Sequence, residues 1–487
     1  MQNKNTKSKV IISLFWKLME RAGTQGIQFV VQIVLARLLV PSDYGILSLI
    51  AIFITISNVF VQSGFNTSLI QKKDTDEVDF SSVFYISLFV TIILYSTLFF
   101  TAPLIAGFYG VPEIVAVIRV LGTTLFLGSF NSIQSAIISK RMQFKKLFFS
   151  SIIAVTVSGI TGILLAYSGF GVWALVFQQL TSQFIITLIL CYTVRWKPKL
   201  VFSFKRVRRL FAFGWKLLVA ILIDTLYMNL RSLIIGKIFN PSILGFYNRG
   251  DQFPQIIVSN INGSIQSVML PVLSEEQDDK QRVKSMVRRS IVTSSFIVFP
   301  LMVGLAVIAE SLVKIVLTDK WLPCVPFLRI FCFSYALWPI HTANIQAINA
   351  LGRSEIILKL ELIKKTIGVA ILVISIKFGV YAIAMGTLVS GVISSFINSY
   401  PNKKLLNYSV SEQFKDIMPV LILSLLMGSV IYSLSWLNMS VYLTLILQVC
   451  IGCIIYVYVA KIIKLECYAY LITAFKGMFE NRKGVIR

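Results

Sequence analysis

Charged and amide side chains inside long apolar segments are the residues of this chain best suited to chemistry. The first apolar segment carries several of them, spaced three or four residues apart: Lys17, Glu20, Arg21, Gln25, Gln28 and Gln32. This spacing places them on one stripe of a helix. A charge at the centre of a membrane helix costs about 2.5–3.5 kcal/mol, so such a stripe must face water, protein or a ligand. The pattern predicts one wall of an aqueous cavity.

Snorkelling is the alternative explanation for Lys17 and Arg21. Long basic side chains near a helix end can reach the membrane surface while their stems stay in hydrocarbon. The amides of Gln25, Gln28 and Gln32 lie too far into the segment to reach that surface. These amides therefore favour the cavity over snorkelling.

Two later apolar segments add further charges at depth. The seventh contains Lys216, Asp224 and Arg231, and the eighth contains Arg249 and Asp251. Basic residues outnumber acidic ones among these, so the cavity should favour an anion, and arginine can hold phosphate through two parallel hydrogen bonds. A neutral Arg249–Asp251 pair with a purely structural role is the alternative. The predicted substrate-binding residues are Lys17, Arg21, Gln25, Gln28, Lys216, Arg231 and Arg249.

Acidic residues at depth are few, and ion-coupled transport is the chemistry that they could support. An intramembrane carboxylate can take up and release a proton or hold a cation. Glu20, Asp224 and Asp251 are the candidates for this role, and the sequence alone does not choose among them.

The side chains that bind metals are scarce or unclustered. The chain has one histidine, His341, and six cysteines. Cys450 and Cys453 form a C-x-x-C pair, but the pair lies in an apolar segment without a second pair, which favours a packing role. We therefore predict no catalytic residue, no metal site and no cofactor.

Composition indicates the elements that must position these residues. Hydrophobic residues make up 56% of the 487 positions, charged residues 14%, and the mean hydropathy is +0.80. These values predict an all-α polytopic membrane protein. The net charge of +25 is spread over short stretches between apolar segments, which argues against nucleic-acid binding. Fourteen segments are predicted to span the membrane: 11–39, 43–66, 81–107, 113–138, 147–167, 170–194, 210–238, 242–272, 290–317, 322–350, 355–376, 379–399, 413–435 and 440–462.

An internal repeat organises the first twelve segments. Residues 36–45 (ARLLVPSDYG) align with residues 236–245 (GKIFNPSILG), and residues 170–175 (FGVWAL) align with residues 378–383 (FGVYAI). Arg119 matches Arg329 in the same order; both lie near segment ends, where we expect them to anchor the outer rim. The repeat predicts a six-helix bundle in residues 1–200, a second in 201–402, and two extra helices with a cytoplasmic tail in 403–487.

Charge asymmetry predicts the orientation. Lysines and arginines cluster in alternate connections, above all in residues 195–209 and 280–289, while the other connections are nearly free of them. The positive-inside rule then places both termini in the cytoplasm. Since each repeat has an even number of helices, the two bundles should enter the membrane in the same direction, as parallel repeats do.

Several motifs resemble the bacterial polysaccharide-export flippases of the Wzx/WzxC type. The resemblance covers about residues 10–400 and is less distinctive in the last two helices. It rests on residues 39–45 (LVPSDYG), 64–73 (GFNTSLIQKK), 140–146 (KRMQFKK), 171–180 (GVWALVFQQL) and 244–249 (LGFYNR). The wider superfamily includes the MATE exporters and the lipid II flippase MurJ.

The resemblance implies a structure and an activity. It implies two six-helix bundles around a V-shaped central cavity, alternating access, and an isoprenoid-pyrophosphate-linked oligosaccharide as cargo, moved from the cytoplasmic to the outer leaflet of the bacterial inner or plasma membrane. Basic residues in the cavity matter in that superfamily, and Lys17, Arg21 and Arg249 lie in the matching helices. A lipid II-type flippase and a MATE-type small-molecule exporter are the alternatives.

The same resemblance frames the expected partners. Besides the lipid-linked oligosaccharide and membrane lipids, a polysaccharide polymerase and glycosyltransferases are the expected partners, and a monomer is the expected state. No large external loop is available for catalytic residues. The chain is therefore expected to be a transporter and not an enzyme.

Overall fold

A computed structural model describes residues 2–62, 65–72, 74–437 and 439–473. The predicted cytoplasmic tail after residue 473 lies outside the described residues, as do Gly64 and Lys73 of the motif above. The described residues are helical nearly throughout and contain no strand. The α-helices are α1 Gln2–Leu38, α2 Pro41–Gln62, α3 Phe65–Gln71, α4 Glu77–Tyr109, α5 Ile114–Gly122, α6 Thr124–Arg141, α7 Phe144–Tyr167, α8 Val172–Val194, α9 Phe204–Ile238, α10 Pro241–Glu275, α11 Lys280–Val316, α12 Val325–Ala336, α13 Trp338–Ala350, α14 Ser354–Ile376, α15 Val380–Leu405, α16 Val410–Ser433 and α17 Val441–Ile462. Short 3-10 helices precede α12 and follow α16.

These helices form fourteen membrane-length segments within the described residues, because α2 with α3, α5 with α6, and α12 with α13 each count as one segment. Twelve segments are long and apolar enough to cross a membrane. The other two, α1 and α14, have 37 and 23 residues, and each carries several charged residues along its length. The prediction of an all-α polytopic membrane protein is confirmed.

Interruptions within two segments could not be placed from hydropathy alone. The helix breaks at Thr123, between α5 and α6, and at Leu337, between α12 and α13. At the second break Pro339 has no N–H to donate to the carbonyl four residues earlier. Three helices also begin well before the predicted spans: α1 at Gln2, α9 at Phe204 and α11 at Lys280. At the start of α11 the Asp279 carboxylate accepts hydrogen bonds from two backbone N–H groups at 3.0 Å.

Repeat-related residues occupy equivalent places. Pro41 begins α2 and Pro241 begins α10, while Gly171 and Gly379, both with positive φ, precede α8 and α15. The two Pro-Ser-x-x-Gly motifs also meet: a Cβ atom on Gly45 would lie 1.7 Å from the Pro241 carbonyl oxygen, and one on Gly245 would lie 2.2 Å from that of Pro41. Only glycine permits this approach of the two helix starts.

The two matched arginines bind backbone carbonyls on neighbouring helices. Arg119 Nε donates to the Phe99 carbonyl at 3.4 Å, which is the carbonyl that Pro103 leaves without an intrahelical donor. Arg329 Nε donates to the Ala306 carbonyl at 3.1 Å. These contacts agree with the anchoring role expected for both.

The chain divides into two compact units, Met1–Gly245 and Phe246–Arg487. A core of α3, α4, α6 and α8 side chains lies in the first, and the second has a core that includes α11, α13, α16 and α17. Tyr456 on α17 donates to the Phe296 carbonyl of α11 at 2.8 Å, which Pro300 leaves without a helix donor. The two extra helices therefore belong to the second unit. The predicted bundle boundaries near residues 200 and 402 remain predictions.

Candidate functional site

Helix α1 has three distinct faces. Val31 and Leu35 are buried against α7 and α8, and Gly23 fits against Ile152. A second face is apolar and uncovered, with Leu18, Phe29 and Val30 among its exposed side chains. The third face is polar and also uncovered.

The polar face holds the residues predicted from the helical spacing. Lys17, Arg21, Gln25 and Gln28 are all exposed, and Gln32 is half-buried. An apolar exposed face can contact lipid, whereas a charged one at membrane depth requires water or a polar ligand. A helix with an apolar and a polar exposed face side by side is suited to a position between lipid and an aqueous space. We call Lys17, Arg21, Gln25 and Gln28 the α1 polar face.

Ion pairing differs along this face. Lys17 Nζ lies 2.9 Å from Glu20 Oε2, and the other Glu20 oxygen accepts from Ser151 Oγ on α7 at 3.2 Å. Arg21 forms no salt bridge with any residue that the structure describes. Arg21 is therefore the cation of this face that is most available to an anion.

Helix α9 carries a second polar stripe in the same unit. Lys216, Asp224, Tyr227 and Arg231 follow one another at helical spacing. Lys216 and Asp224 are exposed, and the half-buried Arg231 places its guanidinium 5.7 Å from the centre of the Tyr227 ring. Few side chains in Gly214–Ile238 are buried, so this helix is open on most sides. Lys216 and Arg231 thus share an accessible stripe, and their role in substrate binding stays a prediction.

Arg249 has a different environment from the other predicted cations. Its side chain is only 5% exposed and lies in the second unit, 5.1 Å from the centre of the Trp321 ring. Its Nη1 donates to Gln252 Oε1 at 2.7 Å. The next residue, Gly250, packs so closely on Phe327 that a Cβ atom would lie 2.8 Å from it. Arg249 is covered by protein and is not part of an exposed polar face in this conformation.

The three acidic candidates also have separate environments. Glu20 is half-buried between Lys17 and Ser151, Asp224 is exposed on α9, and Asp251 accepts a hydrogen bond from Tyr335 Oη at 3.0 Å. An ion-coupling role for any of them stays a prediction. No group of three metal-binding side chains occurs in the part of the chain that the structure describes.

A buried polar network in the second unit escaped the sequence analysis. The Asn344 amide on α13 donates to Gln413 Oε1 on α16 at 2.9 Å, and the Asn402 amide on α15 donates to Asn344 Oδ1 at 2.6 Å. A second set lies on the same two helices α13 and α15, where the ring nitrogens of His341 are 3.1 Å from the Asn398 amide and 3.2 Å from Ser395 Oγ. The spacing 395, 398, 402 on one helix was the available signal. The network joins α16 to the bundle.

Comparison with known proteins assigns the chain to a family, although the α1 polar face precedes the matched residues. The family model described as "Polysaccharide biosynthesis protein" matches residues 34–326, more than half of the chain. The chain belongs to this family. The match covers α2 to α11 entirely, including the α9 stripe and Arg249, and begins within the last turns of α1.

Two relatives align with most of the length of this chain. The succinoglycan biosynthesis transport protein ExoT of Rhizobium meliloti (strain 1021) is 23% identical over 349 residues, 72% of this chain and 71% of ExoT. The lipopolysaccharide biosynthesis protein WzxC of Escherichia coli (strain K12) is 21% identical over 397 residues, 81% of each chain. The predicted resemblance to the Wzx/WzxC type is confirmed.

A solved structure with a similar fold is that of the lipid II flippase MurJ in an inward closed conformation. The TM-score is 0.76 with 16% identity, over 95% of this chain and all of the MurJ chain. At this identity the likeness concerns the fold alone. Family and fold together make this chain a polytopic membrane protein of a transporter type and not an enzyme.

Proposed function

We propose that the chain is a flippase that moves an isoprenoid-diphosphate-linked oligosaccharide from the cytoplasmic to the outer leaflet of the bacterial inner or plasma membrane, for export of a surface polysaccharide. The observation that supports this most is the α1 polar face, which is uncovered along a membrane helix and separate from the apolar exposed face. Family membership and the named relatives supply the polysaccharide context.

The chemistry of the cargo fits the residues present. Diphosphate and sugars cannot enter hydrocarbon without a large desolvation cost. Arg21 offers two parallel donors to a phosphate, with Lys17, Lys216 and Arg231 as further cations. Amides at Gln25 and Gln28 can both donate to and accept from sugar hydroxyls. A face of this kind binds the headgroup while the isoprenoid chain stays in lipid.

The transport step needs no covalent chemistry from the protein. Moving the headgroup requires that the polar faces be reached from one side of the membrane and then from the other, as in alternating access. Glu20, Asp224 and Asp251 are the proposed sites at which an ion could couple to this exchange. Of these, Glu20 is nearest to the α1 cations, since it pairs with Lys17.

The direction of transport follows from the proposed orientation. The basic connections at residues 195–209 and 280–289 are placed in the cytoplasm by the positive-inside rule. Glycosyltransferases would supply the lipid-linked oligosaccharide on that side, and a polymerase would consume it on the other. A lipid II-type flippase, the alternative from the sequence, would use the same cationic face for a different headgroup.

Loss of the chain from its host tests this function. Cells without it should lose surface polysaccharide and accumulate the diphosphate-linked oligosaccharide, and a plasmid copy should reverse both changes. Extracted lipids, resolved by mass spectrometry, distinguish this cargo from lipid II. Unchanged polysaccharide and an unchanged lipid-linked pool would contradict the proposal, and accumulation of lipid II would favour the alternative.

A further inference from the structure

The segment between α8 and α9 is held against the start of α4. Trp196 Nε1 donates to Glu77 Oε2 at 3.2 Å, and the backbone N–H groups of Lys199 and Ser203 donate to the hydroxyls of Ser81 and Ser82, both at 3.0 Å. Both serines are buried. The segment therefore has a fixed position on unit Met1–Gly245, although it has no regular secondary structure before Phe204.

An ion cluster fixes the beginning of α9 beside it. Asp79 is fully buried and lies 2.5 Å from Lys72 Nζ and 3.4 Å from Arg206 Nη1. Arg206 also binds both carboxylate oxygens of Asp76. The hydrogen bond from Arg206 lowers the pKa of Asp76 to about 2, so this pair is ionised at any physiological pH. Lys72 and Arg206 are therefore largely neutralised by their partners.

Beside this ion cluster is a cleft lined by two further cations that have no acidic partner among the described residues. A cleft of about 380 Å³ is bordered by Lys72, Asp74, Asp76, Ser203, Lys205, Arg206 and Arg209. Lys205 and Arg209 are exposed and form no salt bridge with a described residue. Four basic side chains border the cleft against two acidic ones. The cleft is thus suited to an anion, with Lys205 and Arg209 as the available donors.

Large apolar side chains next to the cleft are left uncovered. Leu200 is 96% exposed, and Phe202 and Phe204, on either side of the cleft residue Ser203, are 53% and 68% exposed. Exposed aromatic side chains with neighbouring lysine and arginine are typical of segments at the boundary between lipid headgroups and acyl chains. A soluble anion would leave these side chains in water, whereas a lipid would cover them.

We propose that this cleft binds the phosphate headgroup of an anionic phospholipid of the inner leaflet, with Lys205 and Arg209 on the phosphate and Leu200, Phe202 and Phe204 against the acyl chains. The cleft contains no residue of the α1 polar face and lies before Lys216, the first residue of the α9 stripe. The proposed lipid binding does not depend on the cargo. It would fix the start of α9 at the membrane surface through a lipid as well as through Asp76.

Lipid retention by the whole purified protein tests the site. The wild type, extracted and exchanged into equal phosphatidylglycerol and phosphatidylcholine, should retain phosphatidylglycerol preferentially, as measured by native mass spectrometry. The double variant Lys205→Gln/Arg209→Gln should reduce that preference roughly 10- to 30-fold, because each basic residue near an anionic surface raises the affinity for anionic lipid roughly fivefold. Phe204→Ser should weaken retention as well, since it removes an acyl contact.

A matched control separates a defined site from general attraction. Lys403→Gln/Lys404→Gln removes the same charge from two exposed lysines at the end of α15, outside the cleft, and should leave the preference unchanged. An equal loss in both double variants would overturn the proposal, because any basic surface would then suffice. Displacement of the lipid by soluble glycerol phosphate, with Phe204→Ser unchanged, would also overturn it.

Discussion

The α1 polar face and Arg249 answer one physical requirement in opposite ways. Each places charge within an apolar membrane segment, where charge must meet water, protein or a ligand. Arg21 is uncovered and has no described acidic partner, whereas Arg249 is almost fully covered, beside Trp321 and Gln252. The same residue type is thus exposed in one unit and buried in the other. Accessibility, and not charge alone, decides which arginine can hold a ligand.

Substitution of Arg249 should have the largest effect, and the effect should be on stability. Arg249→Ala removes a buried side chain and leaves Gln252 Oε1 without this donor, which should lower the stability by on the order of 3 kcal/mol. Thermal unfolding of the purified variant in detergent, followed by tryptophan fluorescence, measures this loss. Arg21→Ala is the control and should unfold as the wild type does. Equal unfolding temperatures for both variants would contradict the prediction that Arg249 stabilises the fold and Arg21 does not.

Substitution of Arg21 should instead affect cargo binding. Losing one charge-assisted contact to phosphate costs about 1.5–3 kcal/mol, or roughly 10- to 150-fold in headgroup affinity. Arg21→Lys should restore part of it, because the charge remains while the two-donor geometry is lost. Binding of a short-chain isoprenoid-diphosphate sugar to purified variants measures the difference. An Arg21→Ala variant with wild-type affinity would show that Arg21 does not bind the headgroup.

Lys17 should matter less than Arg21, because Glu20 already pairs with it at 2.9 Å. Exposed pairs of this kind contribute about 0–1 kcal/mol, and the ligand must compete with the carboxylate. Lys17→Gln should lower affinity less than tenfold, and Glu20→Gln should raise it by freeing Lys17. The same binding measurement decides between these outcomes. A Lys17→Gln loss as large as that of Arg21→Ala would show that the two cations act equally.

The smallest effect concerns the ion pair of Asp76 and Arg206, which lies outside the membrane segments. Asp76 has a pKa of about 2 when folded, below its ordinary 3.8. A lowered folded pKa contributes stability that is present above about pH 4 and is lost as the pH falls toward 2. The wild type should therefore lose more unfolding temperature between pH 4 and pH 2 than Asp76→Asn does. An equal loss of unfolding temperature in the two proteins would show that this pair does not stabilise the contact between α4 and α9.

Helical spacing was sufficient to predict the α1 polar face, because a stripe at steps of three and four depends only on local geometry. The environment of Arg249 could not be predicted that way, since the Trp321 that lies beside it is more than seventy residues later. The links between His341 and Asn398 and between Asn344 and Gln413 likewise depend on which helices become neighbours. Breaks at Thr123 and Leu337 are local, but hydropathy averages over them.

Transport by the purified chain in vesicles tests the central claim most directly. A fluorescent short-chain isoprenoid-diphosphate oligosaccharide, placed in both leaflets, is bleached from outside by a reductant that does not cross the membrane. The account predicts that wild-type vesicles lose nearly all of the fluorescence, that Lys403→Gln/Lys404→Gln vesicles do the same at the same rate, that Arg21→Ala vesicles lose the second half at least roughly tenfold more slowly, and that protein-free vesicles stop near half. Wild-type vesicles that also stop near half, or Arg21→Ala vesicles that bleach at the wild-type rate, would contradict it.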